Sequence, residues 1–454
     1  MSARAIVLAA GKGMRMKSER PKVLHEICGR PMLWWGLEAL RRAGVAEITV
    51  VTSPELEAAF WRNPALADFD AQTVVQSEQA GTGDAVRVAL AAMEPGDGAV
   101  VVTYGDMPLI DDALLRDVVG ALAKRPGRLL ALVTAHMPMP STFGRIVRDG
   151  KRVARIVEVR DCTPDELELD EMNAGVYAYD ERALRDAVAR IGNGNAQGEY
   201  YLTDTIALLA ARGRVAPVVA PDYRIVLGVN DRVELADARA RLNARLCEQH
   251  MRDGVTIVDP ATTYVETGVR IGADTSVHPG TSIGRNSVIG TGCTIGPYAR
   301  IEAATIGDDV RIVESVVVDS TVGAGTTIGP FAHLRGGSRL GERVRIGNFV
   351  ETKNAELADD AKANHLAYIG DAAVGARSNI GAGTITANFD GVRKNRTEIG
   401  ADVKIGTNTS LVAPVTVGDG AVTGAGTVVI RDVAPGERVV GNPARPIAEK
   451  PAPA

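Results

Sequence analysis

The sequence has few aromatic residues and no run of apolar residues long enough to cross a membrane. Aromatic side chains make up 4% of the 454 residues, whereas glycine occurs 49 times. A chain that is poor in large rings and rich in glycine suits a narrow, turn-rich repeat. No stretch of roughly 20 apolar residues occurs, and the first residues lack the apolar core of a signal peptide. We therefore expect a soluble, cytoplasmic protein.

Paired cysteines and an excess of positive charge are also missing. The four cysteines, Cys28, Cys162, Cys247 and Cys293, lie far apart and include no CxxC pair. This spacing argues against a disulfide framework and against a structural zinc site. The formal net charge is -5, so the overall charge of the chain does not attract nucleic acid or an anionic membrane. Any phosphate-binding site must therefore be local.

The first part of the chain, up to about residue 230, alternates between short β-branched runs and helical segments. The predicted strands are Ala5–Leu8, Ile48–Thr52, Thr73–Val75, Val100–Thr103 and Leu129–Val133. The predicted helices between them include Leu33–Arg42, Asp84–Met93 and Asp111–Leu122. This alternation predicts an α/β, Rossmann-like domain with a parallel sheet and with ligands at the carboxyl ends of its strands.

After Gly254 the pattern of apolar residues changes to a period of six. The recurring positions begin with Ile271, Val277, Ile283, Ile289, Ile295 and Ile301. A period of six is neither helical nor that of a simple amphipathic strand, and it is typical of a parallel β-helix built from hexapeptide repeats. The phase slips between Ile301 and Val322, where the repeat resumes.

Two interruptions and one helical segment complete the predicted organisation. The repeat breaks around Glu351–Ala367 and Ala387–Arg396, and we predict inserted loops there that form a binding surface. Asp231–Met251 has the pattern of a connecting helix. The predicted boundaries are therefore 1–230 for a nucleotidyltransferase domain, 231–251 for a helical linker and 252–454 for a β-helix, with Lys450–Ala454 as a disordered tail.

The segment LAAGKGMRM, Leu8–Met16, directly follows the first predicted strand and carries the first chemical signal. Gly11 and Gly13 permit a tight loop whose backbone amides can approach phosphates. Lys12, Arg15 and Lys22 supply cations for a triphosphate. A glycine-rich loop alone is a weak signal, but here it occurs together with three cations and the pair Pro21-Lys22.

This combination resembles the sugar-1-phosphate nucleotidyltransferases. Along the whole chain the sequence is similar to the bifunctional N-acetylglucosamine-1-phosphate uridylyltransferase and glucosamine-1-phosphate N-acetyltransferase family, the GlmU family. The resemblance implies a left-handed β-helix, a homotrimer, Mg²⁺ as cofactor, and UTP and acetyl-CoA as co-substrates. It implies two reactions, acetyl transfer to glucosamine-1-phosphate and uridylyl transfer to N-acetylglucosamine-1-phosphate, which together feed peptidoglycan and lipopolysaccharide synthesis.

The resemblance also implies the residues of the uridylyl site. Those that would bind the nucleotide are Leu8, Ala9, Ala10, Gly11, Arg15, Lys22, Gln76, Gly81 and Thr82. Those that would bind the sugar are Tyr104, Gly105, Gly144, Glu158, Asn173 and Asn230, with Glu199 and Thr203 nearby. Asp106 and Asn230 would hold Mg²⁺ through hard oxygen donors. An isolated aspartate at a strand end is more often a helix cap, so the Mg²⁺ assignment depends on the pair.

In the repeat region the resemblance implies an acetyl site. His365, in ANHLAYIGDA at the end of the first interruption, would be the general base, since imidazole accepts a proton at neutral pH. The acceptor's phosphate would be bound by Arg335 and Lys353, and its sugar by Tyr368 and Asn379. Acetyl-CoA would be bound by Ala382, Asn388, Phe389, Thr407, Ala425 and Asn442.

The chain departs from the family pattern at three of these acetyl-CoA positions. Phe389 stands where the family usually has tyrosine, and Thr407 stands where serine is common. Asn442 corresponds to a late arginine of the family, so Arg438 and Arg445 are the alternative candidates for the contact with the phosphates of coenzyme A.

Two other functions stay open at this point. The first is a single-function nucleotidyltransferase whose β-helix serves only assembly, and the second is a sugar-nucleotide sensor with a scaffold repeat. A β-helix carbonic anhydrase would need clustered histidine ligands, whereas His278, His333 and His365 are scattered. Retention of His365, Lys353, Arg335 and Tyr368 favours the two-reaction enzyme.

Overall fold

The computed structural model describes residues 3–125, 127–212 and 215–447. These residues form two compact units that divide between Leu242 and Asn243. The predicted tail Lys450–Ala454 lies outside the described residues. No helix within the described ranges is long and apolar enough to span a membrane.

The first unit contains a mainly parallel sheet. Its central strands lie in the spatial order Val215–Val219, Leu130–His136, Glu171–Asp180, Ala99–Tyr104, Ala3–Leu8, Val45–Thr52 and Ala71–Val75. Glu171–Asp180 runs antiparallel to both of its neighbours, and the other adjacent pairs along this path are parallel. The hairpin Arg145–Asp149 and Arg152–Val157 is attached to this antiparallel strand, and a separate short hairpin pairs Glu26–Ile27 with Arg30–Pro31.

Apolar side chains cover both faces of this sheet. Along strand Ala3–Leu8, Ala5 and Val7 join one buried cluster, whereas Ile6 and Leu8 join the other. This alternation follows from the two-residue period of a strand. The α-helices of the unit are Met32–Arg42, Pro54–Phe60, Pro64–Ala67, Thr82–Ala92, Asp112–Ala123, Pro164–Leu167, Glu181–Arg190 and Asp204–Ala210. Its 3-10 turns are Met14–Met16, Lys22–Leu24, Val159–Asp161 and Tyr223–Val226. The predicted α/β class is confirmed.

The second unit is a parallel β-helix in which each short strand pairs with a strand one coil further along, so the strands form three faces. The first face consists of Thr256–Ile257, Ser276–Val277, Thr294–Ile295, Arg311–Ile312, Thr327–Ile328, Arg345–Asn348, Lys362–His365, Asn379–Ile380, Lys404–Ile405, Val422–Thr423 and Arg438–Val440, with Arg445–Pro446 added antiparallel. The second face consists of Tyr264–Val265, Ser282–Ile283, Arg300–Glu302, Val316–Val318, His333–Leu334, the first halves of Glu351–Leu357 and Tyr368–Val374, Ile385–Ala387, Ser410–Val412 and Val428–Val429. The third face consists of Arg270–Ile271, Val288–Ile289, Thr305–Ile306, Ser320–Val322, Ser338–Leu340, the second halves of the same two long strands, Thr397–Ile399 and Val415–Val417.

The first predicted interruption is wrong, because the coil continues through it. Glu351–Leu357 and Lys362–His365 are strands that pair with the coils before and after them. The core positions here are filled by small residues such as Ala355, Ala361 and Ala363, all of which are fully buried. Alanines in place of isoleucines hid the period of six. The second interruption is a loop, since residues 388–396 contain no named strand.

The phase slip also has a local cause. The buried positions Ile301, Ile306, Ile312 and Val317 are separated by five, six and five residues, so some corners are one residue shorter. At two of these short corners Ala303 and Glu314 take positive φ values of 50° and 44°. At each of these short corners a residue in the left-handed region turns the chain.

Helix Arg232–Arg252 coincides with the predicted connecting segment. Leu235 and Leu242 belong to a buried cluster of the first unit, and Cys247 belongs to the core of the second. Asn243 donates a hydrogen bond to the carbonyl of Thr263 at 2.7 Å within the second unit. The boundaries at residues 230 and 251 stay a prediction.

Candidate functional site

The largest group of predicted nucleotide-binding residues lines one cavity of about 270 Å³ in the first unit. It lies at the carboxyl ends of strands Ala3–Leu8 and Ala99–Tyr104, where a parallel sheet places its ligands. Of the predicted residues, the cavity brings together Leu8, Ala9, Ala10, Gly11, Lys22, Gln76, Gly81, Thr82, Tyr104, Asp106 and Glu199. The backbone N–H of Gly105 donates to the carbonyl of Leu8 at 2.9 Å, which ties the two strand ends together.

The glycine-rich loop packs tightly on Lys22. Gly13 has a φ of 60°, and a Cβ atom at this position would lie 2.7 Å from the Cβ of Lys22. A side chain at position 13 would therefore displace Lys22 as well as strain the backbone. The side-chain amide of Gln79 donates to the carbonyl of Ala10 and holds the other side of the loop.

Gln76 is buried, and its side-chain amide group is already engaged. Its Nε2 donates to the carbonyl of Gly81 at 3.2 Å and to the carboxylate of Asp84 at 2.8 Å. Both hydrogens of the amide are thereby used, which leaves Oε1 as an acceptor on the cavity wall. Gly81 adopts a φ of 111°, and a Cβ there would lie 2.6 Å from the carbonyl oxygen of Tyr200.

The two predicted metal ligands converge on a single cation. The ammonium of Lys22 contacts the carboxylate of Asp106 and lies 3.3 Å from Oδ1 of Asn230. A backbone hydrogen bond of 2.9 Å from Val229 to the carbonyl of Asp106 brings the two segments together. A carboxylate and an amide oxygen facing one cation form a donor set that fits Mg²⁺. Within the described residues, no group of three or more His, Cys, Asp or Glu side chains is arranged to hold a metal.

Arg15 is not among the residues that line the nucleotide cavity. It lines a separate cavity of about 390 Å³ together with Asn230, Glu234 and Phe143. Its turn, Met14–Met16, is short and is followed by Lys17 in the left-handed region. Of the three predicted phosphate-binding cations, Lys22 lines the nucleotide cavity, whereas Lys12 lines a third cavity beside Gln76 and Arg20.

Two of the residues predicted at or near the sugar site, Thr203 and Gly144, lie beside Glu158. Thr203 donates a hydrogen bond of 3.1 Å to the carboxylate of Glu158, and both line a cavity of about 530 Å³. A Cβ built on Gly144 would lie 3.4 Å from the same carboxylate, so the absence of a side chain keeps that approach open. Burial raises the pKa of Glu158, the bond from Thr203 acts in the opposite direction, and the nearby Asp204 and Asp161 raise it again.

The side chain of Asn173 is fixed by three hydrogen bonds. Its side chain exchanges bonds with the hydroxyl of Tyr177 at 2.7 and 3.0 Å and accepts one from the backbone of Gly175 at 3.1 Å. Its own backbone N–H donates to the carbonyl of Gly144 at 2.8 Å. Burial raises the pKa of the Tyr104 phenol, with further contributions from Glu158 and Asp106, so this hydroxyl stays a hydrogen-bond donor at neutral pH.

In the second unit, the register places His365 in a column with three of the predicted acetyl-CoA residues. Lys362–His365 pairs with Asn379–Ile380, and that strand pairs with Lys404–Ile405, which pairs in turn with Val422–Thr423. The residues that occupy the same position on successive coils are Asn348, His365, Ala382, Thr407 and Ala425. We call this set the histidine column. Asn379 lies on the same face, at the start of its strand.

The predicted phosphate-binding cations lie on the second face. Lys353 follows Arg335 by one coil, and Arg335 donates to the carboxylate of Glu351 at 2.7 Å. The neighbouring ammonium of Lys394, followed by the charge of Arg335, lowers the pKa of Lys353. Tyr368 pairs in register with Glu351 on the same face. Three cations thus face one another beside Tyr368, an arrangement that an anion would stabilise.

Asp371 holds one of the predicted acetyl-CoA residues in place. It accepts a hydrogen bond from the side chain of Asn388 at 2.5 Å and another from Asn354 at 2.8 Å. The adjacent Phe389 is exposed in the loop 388–396, where it forms a bridge with Lys394. The structure therefore places Asn388 and Phe389 away from the histidine column. Asn442 lies in the turn between Arg438–Val440 and Arg445–Pro446.

Three residues of this site were not foreseen from the sequence. Lys394 is a cation in the second interruption, and a count of charges in that loop could have identified it. Asn348 and Asp371 carry no sequence signal of their own. Their contacts with residues on adjacent coils can be inferred only when the length of each coil is known.

The two halves of the chain match separate families of transferases. A MobA-like NTP transferase domain matches residues 5–188, a GMPPB C-terminal domain matches residues 265–354, and six bacterial transferase hexapeptide repeats match residues 396–431. Together these matches confirm the change of fold that the sequence predicts, but they do not connect the halves.

Relatives that match nearly the whole chain connect its two halves. The bifunctional protein GlmU of Geobacter sulfurreducens is 46% identical over 450 residues, which cover 94% of this chain and 94% of the relative. The chain belongs to the GlmU family. GlmU of Thermobifida fusca is 46% identical over 444 residues, which cover 96% of this chain and 91% of the relative. GlmU of Streptomyces avermitilis is 44% identical with the same coverage. The family assignment made from sequence motifs is confirmed.

Proposed function

We propose that this chain makes UDP-N-acetylglucosamine by two reactions in two separate units. The β-helix transfers an acetyl group from acetyl-CoA to glucosamine-1-phosphate. The α/β unit then transfers uridylyl from UTP to N-acetylglucosamine-1-phosphate and releases pyrophosphate. The observation that carries this proposal is the similarity to bifunctional GlmU proteins along both units.

Acetyl transfer requires a base and a cradle for the acceptor's phosphate. Nε2 of His365 accepts a proton from the acceptor's amine as that nitrogen attacks the thioester carbonyl, and the carbon–sulfur bond then breaks as the coenzyme A thiolate leaves and takes this proton from His365. Arg335, Lys353 and Lys394 bind the phosphate, whose charge offsets their mutual repulsion. Tyr368 and Asn379 bind the sugar.

The histidine column provides the track for acetyl-CoA. Ala382 and Ala425 have small side chains, so the pantetheine chain can lie against the coils beside His365. Thr407 adds a hydroxyl to this track. Asn388 and Phe389 lie away from the histidine column, so in the proposed trimer they would contact a cofactor held on the column of a neighbouring chain. At the late position of Asn442, Arg438 and Arg445 are cations of the same hairpin that can bind the phosphates of coenzyme A.

Uridylyl transfer needs positioning and charge stabilisation but no protein nucleophile. The oxygen of the sugar-1-phosphate attacks the α-phosphorus of UTP in line, and pyrophosphate leaves. Lys22 and Arg15 offset the charge of the phosphates. Because both hydrogens of the Gln76 amide are engaged, its Oε1 accepts a hydrogen bond from N3–H of uracil. The nucleotide also contacts Leu8, Ala9, Ala10, Gly11, Gly81 and Thr82.

The sugar of N-acetylglucosamine-1-phosphate binds between the strand end at Tyr104 and Gly105 and the carboxylate of Glu158. Gly144, Asn173 and Asn230 complete this part of the site. Asp106 and Asn230 would hold Mg²⁺, and in this structure their oxygens face the ammonium of Lys22. When bound, Mg²⁺ offsets negative charge on the phosphate oxygens.

Hexapeptide repeats suggest oligomers, and we propose a homotrimer. At the corner between the first and second faces, Phe331 and Phe349 stack with ring centroids 5.5 Å apart, yet each is more than half exposed. Leu366 continues this apolar ridge on the next coil and is 61% exposed. An exposed ladder of this kind favours burial against another copy of the chain. The ridge also separates His365 on the first face from Arg335 and Lys353 on the second, so a neighbouring chain can complete each site.

The remaining parts of the proposal concern location and domain boundaries. We place the enzyme in the cytoplasm, where UTP and acetyl-CoA are made. We also place the nucleotidyltransferase domain at 1–230, the linker at 231–251 and the acetyltransferase domain at 252–454. The central helix Arg232–Arg252 supports a boundary in this region.

Two separate assays on the full chain test the proposed function. One gives the protein glucosamine-1-phosphate and acetyl-CoA and follows thiol release, and the other gives it N-acetylglucosamine-1-phosphate, UTP and Mg²⁺ and follows pyrophosphate release. We expect both products. Pyrophosphate without any thiol would favour the single-function nucleotidyltransferase with a non-catalytic β-helix.

A further inference from the structure

Asn348 and His365 occupy matching positions on successive coils of the β-helix. Strand Arg345–Asn348 pairs in parallel with Lys362–His365, and Asn348 is the register partner of His365. Each residue is the last of its strand and precedes a corner residue with positive φ, 58° at Phe349 and 51° at Leu366. Neighbouring strands lie about 4.8 Å apart, so side chains at matching positions stack in contact. The fold therefore sets Asn348 directly beside the imidazole.

The contact between the two side chains has a defined polarity. Nδ1 of His365 lies 2.8 Å from Oδ1 of Asn348. An amide oxygen carries no hydrogen and can only accept, so Nδ1 must carry the proton of the neutral ring. A neutral imidazole has one N–H, and its other nitrogen has the free lone pair. In this tautomer Nε2 is the nitrogen that can take a proton from a substrate.

We propose that Asn348 is a positioning residue for acetyl transfer that holds His365 in its Nδ1–H tautomer. This inference rests on the proposed role of His365 as the general base. Once Nε2 has accepted a proton, both ring nitrogens are donors, and the oxygen of Asn348 continues to accept from Nδ1. The same contact therefore orients the neutral base and supports its cationic form.

The neighbours of His365 along the histidine column explain why Asn348 is the residue that orients the imidazole. The next coil places Ala382 opposite His365, and alanine has no polar atom in its side chain. The imidazole is exposed, so without Asn348 water would compete for either ring nitrogen. The core of these coils consists of other residues, including Ile346, which is buried. Substitution of the half-buried Asn348 therefore leaves the packing of the coil intact.

The test compares Asn348→Ala, Asn348→Asp and His365→Gln in the full-length protein. Steady-state thiol release gives kcat and KM for acetyl transfer. The ¹⁵N shifts of labelled histidine report the tautomer, and the signals of His365 are assigned by their loss in His365→Gln. Thermal unfolding checks that each variant is folded.

We expect Asn348→Ala to lower kcat by roughly 10–100-fold, the usual range for a group that orients a reacting residue, with KM changed by less than about twofold. Its His365 signals should move to a mixture of tautomers. Asn348→Asp supplies another acceptor and should retain both the Nδ1–H signal and most of kcat.

Two results would overturn the role of Asn348. One is a wild-type kcat for Asn348→Ala, and the other is a reduced kcat with the Nδ1–H tautomer unchanged. A wild-type kcat for His365→Gln would instead remove His365 from its role as base, which is a failure of the proposed function and is recognised independently of Asn348.

Discussion

The ammonium of Lys22 contacts the carboxylate of Asp106, although the two residues are 84 positions apart. Both side chains are largely buried, with 13% and 19% of their surfaces exposed. Asn230 approaches the same ammonium from a third segment, at 3.3 Å. The oxygens that we propose as metal ligands are thus arranged around a positive charge.

Replacing either proposed metal ligand should affect only one of the two reactions. We expect Asp106→Ala or Asn230→Ala to lower uridylyl transfer by roughly 10²-fold or more, because each removes an oxygen ligand of the Mg²⁺ that would offset charge at the phosphates. Acetyl transfer should persist, since no proposed ligand lies in the β-helix. The measurement is pyrophosphate release beside thiol release for each variant, with and without EDTA.

Asp112→Asn is the matched control for these variants. Asp112 lies at the start of a nearby helix and forms an ion pair with Arg116 at 2.5 Å, outside the proposed site. Its uridylyl transfer should match that of the wild type. Full pyrophosphate release in the presence of EDTA would rule out the proposed role of the metal.

Loss of the proposed base should slow acetyl transfer without weakening the binding of acetyl-CoA. We expect His365→Ala to reduce kcat by roughly 10²–10⁴-fold, the range for removal of a positioned general base. Acetyl-CoA binding, measured by calorimetry, should change little. His278→Ala is the control, because His278 follows strand Ser276–Val277, which lies on the same face five coils before Lys362–His365 and outside the proposed acetyl site. Equal rates for the two variants would contradict the assignment.

Phosphate binding should change the protonation of Lys353. The ammonium of Lys394 and then Arg335 lower its pKa, so free Lys353 loses its proton at a lower pH than an ordinary lysine. A bound phosphate favours the charged form and raises the pKa again. The protein should therefore take up a proton when it binds glucosamine-1-phosphate in the alkaline range below the ordinary pKa of a lysine. Calorimetry in two buffers of different ionisation enthalpy measures this uptake.

Lys394→Met and Arg393→Met form a matched pair for this experiment. Removal of Lys394 restores the pKa of Lys353 towards its ordinary value, so the alkaline proton uptake should shrink and phosphate affinity should fall. Arg393 lies 3.6 Å from Asp390 in the same loop, and its removal should leave both quantities unchanged. Identical uptake in all three proteins would show that Lys353 and Lys394 do not share the phosphate.

The strands and coils that the sequence predicts best are those with a clear local pattern of apolar residues. The short β-branched run predicts a strand at Ala5–Leu8, and the structure has a strand at Ala3–Leu8 whose alternate residues face two buried clusters. The coil Glu351–Ala367 was missed for the opposite reason, since Ala355 and Ala363 fill its core in place of branched side chains.

That error also concealed part of the candidate site. A segment read as an inserted loop has no register, so the contact between Asn348 and His365 could not be inferred. The spacing of residues in the sequence also could not predict that Lys22, Asp106 and Asn230 lie close together, because this depends on how the strand ends meet in the folded sheet. The family resemblance named these residues, and the structure shows which of them are close.

The two activities should separate when the chain is divided. A fragment ending near Met251 should fold and make UDP-N-acetylglucosamine from N-acetylglucosamine-1-phosphate, because every proposed nucleotide, sugar and metal residue precedes that point. A fragment beginning near Asp231 should acetylate glucosamine-1-phosphate and have the mass of a trimer by light scattering.

Phe349→Ser in the second fragment tests whether the apolar ridge holds the trimer together. The exposed ring of Phe349 stacks on Phe331, and its loss should weaken assembly and acetyl transfer together. Val392→Ser is the control, since Val392 is 90% exposed in a loop away from the ridge. A fully active monomer would refute the shared site but leave the two reactions in place.

The measurement that tests the central claim most directly is a single reaction with the purified full-length protein. It contains glucosamine-1-phosphate, acetyl-CoA labelled with ¹³C in the acetyl group, UTP and Mg²⁺, and mass spectrometry identifies the nucleotide sugar. The account predicts UDP-N-acetylglucosamine that carries the ¹³C label. A folded protein that makes UDP-N-acetylglucosamine from added N-acetylglucosamine-1-phosphate, but never incorporates the labelled acetyl group, would contradict it.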